Sequence, residues 1–237
     1  MVSTTLLCFL PYLFLLFPYT TSYDIIRDYS GSTFFDHWDF YGSWDNLTLG
    51  DVWWLDRASA FQNNLAYINE HNRAVIKVDN VSDVPFNEKR NTVRITSQDS
   101  YGVGSLWIID LTHLPYGCSV WPAVWTKGPT WPDDGEIDII EGVNLMGANQ
   151  YALHTLPGCS QPQGVVQTGV SGETDCSQPS GCVVSEASPN SFNAGFAAAG
   201  GGVWAAQFDV AGIFIWFWSV RDVLNCRKRS IADAMQS

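Results

Sequence analysis

Positive charge is scarce in this chain. Only 12 residues are Lys or Arg against 24 Asp or Glu, which gives a net charge of −12 and a sequence pI near 4.5. A surface of that sign repels phosphate backbones and anionic membranes, so nucleic acid is excluded as a partner class. Long amphipathic helical patterns are missing. No Gly-Lys-Ser/Thr follows a glycine-rich stretch, which excludes a phosphate loop. Past the first residues no apolar run has the length of a membrane span, and Ile213–Trp218 is far too short for one. The cysteine spacings do not suggest zinc, and the acids lack the Asn/Asp-rich loop of a calcium site. Neither a metal nor a cofactor is expected.

Tryptophan, by contrast, is abundant: 11 of 237 residues. Its ring suits surfaces that are apolar on one side and wet on the other, a description that fits a sugar ring as well as a β-core. The length fits one all-β domain. Residues 1–22 carry no charged side chain, and Leu6–Tyr19 is rich in Leu, Phe and Tyr. Pro11 and Pro18 would break a long helix, and Thr20 and Ser22 are small residues placed before Tyr23. The expectation is a cleaved signal peptide over 1–22, with a signal anchor as the alternative. The mature chain would then be secreted, without stable membrane association, and monomeric. Secretion would expose the sequons at Asn46 and Asn80 to glycosylation. Of the six cysteines, Cys8 would leave with the signal. Cys118, Cys159, Cys176, Cys182 and Cys226 would remain, four of them able to form two disulfides in any of three pairings.

Short β-rich runs recur between turn residues: Ala74–Val78, Asn91–Ser97, Ser105–Asp110, Val120–Trp125, Glu136–Glu141, Tyr151–Leu156, Val203–Phe208 and Ile213–Trp218. Within Asn91–Ser97, Val93 and Ile95 alternate with polar residues, the period of a half-buried strand. Many short strands and no long helix point to an antiparallel sandwich. Ala194–Gly202, rich in Ala and Gly, reads as a flexible connection.

The informative segment is Glu136-Ile137-Asp138-Ile139-Ile140-Glu141. In a regular strand residues i and i+2 share a face, so Glu136 and Asp138 point together. Glu141, at i+5, would point the other way unless one extra residue near Ile139–Ile140 forms a β-bulge. With the bulge absorbed, the Glu136 and Glu141 backbones stand roughly 13 Å apart. Long Glu side chains can converge over that span toward the roughly 5–5.5 Å used in retaining glycoside cleavage. One carboxylate would attack the anomeric carbon and the other, kept protonated, would assist the leaving oxygen. Three acids on one face raise at least one pKa toward neutrality. Trp121, Trp125 and Trp131 precede the acids and His154 follows, so aromatic walls and an imidazole flank them. The competing reading is a solvated acidic strand face over buried Ile.

These segments resemble glycoside hydrolase family 16 in its fungal laminarinase-like or mixed-linkage glucanase branch. The resemblance rests on Gly135–Asn144, Gly117–Trp125, Tyr151–Thr155 and Ser30–Phe40, and it spans residues 23–219. It implies a concanavalin-like β-jelly-roll sandwich with the substrate in a concave groove. It further implies Glu136 as nucleophile, Glu141 as acid/base, Asp138 as helper, and Trp121, Trp125, Trp131 and His154 around the attacked sugar. The bulged motif marks members acting on β-1,3- and mixed β-1,3/1,4-glucans, so a β-glucan is the expected partner.

The resemblance stops after Ser219. Residues 220–237 hold 4 of the 12 Lys and Arg residues and read as an aberrant basic tail. On this reading the catalytic domain, 23–219, is incomplete at its C-terminus, which would expose strand edges and weaken the fold. Three functions follow as expectations: a retaining endo-glucanase, a wall-glucan transglycosylase using the same residues, and a glucan-binding protein without turnover.

Overall fold

The structure, a computed structural model, describes residues 23–224. The expected signal peptide, Cys8, Cys226 and most of the basic tail lie outside the described residues.

A 3-10 helix over Gly31–His37 leads into seven short strands: β1 (Trp38–Phe40), β2 (Ser43–Trp44), β3 (Val52–Trp54), β4 (Ala66–Ile68), β5 (Ala74–Ile76), β6 (Arg90–Thr92) and β7 (Ile95–Ser97). Helix α1 (Arg57–Gln62) interrupts them; Asp56 caps it by accepting from the Ser59 amide at 2.9 Å. The run expected as one strand over Asn91–Ser97 is two, because β6 pairs with β3 while β7 pairs with β1. Phe35, Leu55, Ala60, Leu65 and Ala66 form the core of this region.

The second half builds two larger sheets. One runs in the order β12 (Val170–Ser171), β13 (Cys182–Ser185), β11 (Gln150–His154), β10 (Glu136–Glu141), β9 (Ala123–Lys127). The other runs β15 (Gly212–Ser219), β14 (Gly202–Asp209), β8 (Ser105–Leu111). Every pairing within these two sheets is antiparallel. Their facing sides share one core, in which Ile137, Ile139 and Ile140 of β10 meet Trp204 and Ala206 of β14. This is the all-β sandwich expected from the sequence.

Helix α2 (Asn193–Ala199) corrects the flexible connection expected over 194–202. Ala is the strongest helix former, and Phe192 and Phe196 anchor the segment in the main core. Gly200 then ends it in the left-handed conformation that glycine adopts without penalty. Gly142 has a packing reason of its own, since a Cβ there would sit 2.5 Å from the Phe192 ring.

The cysteines also depart from expectation. Cys176 and Cys182 are bonded, whereas Cys118 and Cys159 are free and exposed, so there is one disulfide among the described residues.

Candidate active site

Strand β10 pairs with β11 through Glu136↔His154 and Asp138↔Ala152. On its other side Asp138 faces Trp125, but the next partner pair is Ile140↔Val124. Ile139 is therefore the extra residue of a β-bulge, within the pair where the sequence required one. The consequence is a switch of phase. Ile137, Ile139 and Ile140 are all buried in the core, and Glu136, Asp138 and Glu141 share the opposite face.

Cross-strand partners share a face, so Trp125 and His154 join the acids. The His154 Nε2 atom lies 3.3 Å from Asp138 Oδ2, a charge contact whose angle falls short of a hydrogen bond. The Trp131 ring lies 6.2 Å from the imidazole, centroid to centroid. The Trp121 indole N–H donates to Glu141 Oε1 at 2.9 Å. Both indoles stay more than half exposed, at 56% and 55%, and so offer free ring surface. All seven residues singled out in the sequence thus meet on one wall.

Burial dominates the electrostatics. Asp138 is only 3% exposed. Desolvation, followed by the Asp138 charge, pushes the Glu136 carboxyl up to about 7. Desolvation and the same Asp138 charge also raise Glu141, opposed by the Trp121 hydrogen bond and by His154. His154 is raised as well, first by its interaction with Asp138. Glu136 therefore keeps its proton up to about pH 7, and His154 is favoured in its charged form beside the acids. Glu136, Asp138 and His154 also offer donor atoms within 4.8 Å of one another, a spacing compatible with a divalent ion.

Two residues near the acids went unnoticed in the sequence. Arg94, which follows β6, places its guanidinium carbon 4.7 Å from the Trp125 ring centroid, 4.9 Å from Trp54 and 5.5 Å from Tyr41. It ties β9 to the N-terminal sheets by cation–π contact and adds positive charge near Glu136. An isolated Arg in an alternating strand gave no signal. The other is Asn149, fully buried at the start of β11 beside the bulge. Its side chain bonds the backbone at Ile139 and Glu141.

Comparison with known proteins settles the family. Residues 38–230 match the model of an XgeA-like, catalytic GH16 domain. The chain belongs to glycoside hydrolase family 16. A probable glycosidase of Schizosaccharomyces pombe is 38% identical over 209 residues, 85% of this chain and 49% of that protein. An endo-1,3(4)-beta-glucanase of Arthroderma benhamiae is 36% identical over 213 residues, 86% of this chain and 46% of that protein. The chain thus spans about half the length, or less, of the curated relatives it matches. Among family 16 structures, an elongating beta-1,3-glucosyltransferase superposes with a TM-score of 0.76 at 37% identity, covering 81% of this chain and 66% of that one. Laminarinase 16A from Phanerochaete chrysosporium, with beta-glucans in donor and acceptor sites, gives 0.75 at 33% identity, covering 80% and 65%. With these neighbours the sandwich is a family 16 jelly roll.

Proposed function

We propose that this protein is a retaining endo-glycosidase that cleaves β-1,3- and mixed β-1,3/1,4-glucans by double displacement. The observation that carries the reading is the bulge at Ile139, which puts Glu136, Asp138 and Glu141 on one face beside His154. In the first step Glu136 attacks the anomeric carbon while Glu141 gives its proton to the departing glycosidic oxygen. In the second, Glu141 takes a proton from water, which displaces Glu136 from the sugar.

The nucleophile must be ionised although its pKa is raised. The charge of His154 opposes that rise and favours the carboxylate form that attacks. Trp121 occupies Glu141 Oε1, which leaves Oε2 to carry the acid's proton. The exposed rings of Trp121 and Trp131 would stack on sugars flanking the broken bond.

The same residues serve transglycosylation if a sugar hydroxyl rather than water intercepts the intermediate. The structural likeness to an elongating glucosyltransferase favours keeping this second reading. Secretion after removal of 1–22, glycosylation at Asn46 and Asn80, and action as a monomer complete the proposal.

The test is product analysis on laminarin and lichenan, with and without labelled oligosaccharide acceptors. Internal cleavage that releases reducing sugar is expected. Labelled elongated products in place of reducing sugar would favour the transferase, and no change in either polysaccharide would refute both readings.

A further inference from the structure

A bulge breaks the ladder that would otherwise fix its backbone, so something else must hold it. The β10–β11 register runs Glu136↔His154, Ile137↔Leu153, Asp138↔Ala152 and then stops. Continued at the same register, it would bring Asn149 opposite Glu141. The Asn149 side chain reaches across where main-chain pairing has ended. Its Oδ1 accepts from the Glu141 N–H at 3.0 Å, and its Nδ2 donates to the Ile139 carbonyl at 3.1 Å. One group belongs to the bulged residue itself and the other lies just beyond Ile140. Left unpaired in the core, each would carry the full desolvation penalty of a buried polar group.

Asn149 is itself fixed from both directions. Its amide donates to Ser191 Oγ at 3.0 Å, and the Ser191 hydroxyl donates onward to the Ser188 carbonyl at 2.8 Å. The Asn149 carbonyl accepts from the Glu186 amide at 2.9 Å. Asn149 and Ser191 are both fully buried. Only a carboxamide has an acceptor and a donor on one rigid plane to bond both groups; Asp lacks the donor, and an apolar side chain lacks both.

We infer that Asn149 is a positioning residue for the proposed reaction, clamping the bulge so that Glu141 is aimed at the scissile oxygen. The inference rests on Glu141 being the acid/base of that reaction. The clamp acts on the Glu141 backbone, while Trp121 orients its carboxyl from the other end. A small displacement of a proton donor is costly, about 100-fold for 1 Å.

The experiment compares the full chain with Asn149→Ala, Asn149→Asp and Ser191→Ala on laminarin, together with amide hydrogen exchange at Glu141. Asn149→Ala should lower kcat ~100-fold with KM within about threefold. It should also shift the alkaline limb of the kcat/KM profile and speed exchange at Glu141. Asn149→Asp keeps the acceptor for Glu141 and should lose about tenfold, and Ser191→Ala should lose less in the same direction. A folded Asn149→Ala protein with full kcat would overturn the inference, as would lost kcat with the Glu141 amide still protected. Should Asn149→Ala fail to fold, Asn149→Asp decides by the same two readouts. Absence of hydrolysis by the parent chain would count against the proposed function alone. Amide exchange would still test the clamp, and unchanged protection at Glu141 in every variant would overturn it.

Discussion

The two large sheets bury their inner faces in the same core but differ on their outer faces. On the three-stranded sheet, β14 pairs without interruption with both neighbours from Gly202 to Phe208. Strict alternation there sends Trp204 and Ala206 inward and leaves Phe214, Trp216 and Trp218 of β15 partly exposed outside. On the five-stranded sheet, β10 breaks its ladder after Asp138 and turns three acids to the outside with His154 and Trp125. Regular pairing yields a mostly apolar face on which Asp110 stands without a second charge paired across the strand. One surplus residue gathers three acids and an imidazole on one face, over a backbone that a buried amide must hold.

The largest expected contrast between the faces is catalytic. Glu136→Gln or Glu141→Gln should each reduce laminarin hydrolysis by at least about 1,000-fold at equal folded concentration, measured as reducing sugar released. Equal activity in either variant would remove the acid face from the mechanism.

Trp121→Phe sharpens the contrast by keeping the ring and deleting one hydrogen bond. That bond lowers the Glu141 pKa. Without it the pKa rises, so the alkaline limb of kcat/KM should move to higher pH, with activity lowered about tenfold. An unmoved limb would separate Trp121 from Glu141.

A stability measurement comes next. The folded-state pKa of Glu136, about 7, lies above its ordinary value of 4.5. The folded protein thus binds the extra proton, and its contribution is fully present below about pH 4.5 and lost as pH rises through 7. Glu136→Gln should therefore unfold at the same denaturant concentration as the parent at pH 4. At pH 8 it should be more stable by about 1–2 kcal/mol, after discounting for solvent screening. Equal stability at pH 8 would show that the carboxylate is not strained by its neighbours.

The smallest effect is expected on the other face. Trp216→Ala should leave kcat/KM on laminarin within about twofold, since the ring is partly exposed on the face away from the acids and stacks on Phe214 of its own strand. A large loss would mean that the apolar face takes part in turnover.

Much of this was legible in sequence because the acids interleave with Ile. Period two fixed the face of Glu136 and Asp138, and the offset of Glu141 demanded a bulge that the structure places at Ile139. Strands β8, β10, β14 and β15 were recognisable as β-rich runs bounded by turn residues, each six residues or longer. Two-residue strands such as β2 and β12 hold too few residues for any period. Helix α2 was hidden because its Ala and Gly content suits helix and loop alike, and only the burial of Phe192 and Phe196 decides between them. Asn149 was invisible for a different reason. Its role depends on a side chain replacing a main-chain pairing across two strands, and no local pattern encodes that.

The central claim is that the bulge presents Glu136 as a nucleophile opposite a protonated Glu141. Incubation with a 2-deoxy-2-fluoro laminaribioside carrying a good leaving group, followed by peptide mass mapping, tests it most directly. One glycosyl adduct is expected, on the carboxylate of Glu136. An adduct on Asp138 or Glu141, or turnover with inverted anomeric configuration and no adduct, would contradict it.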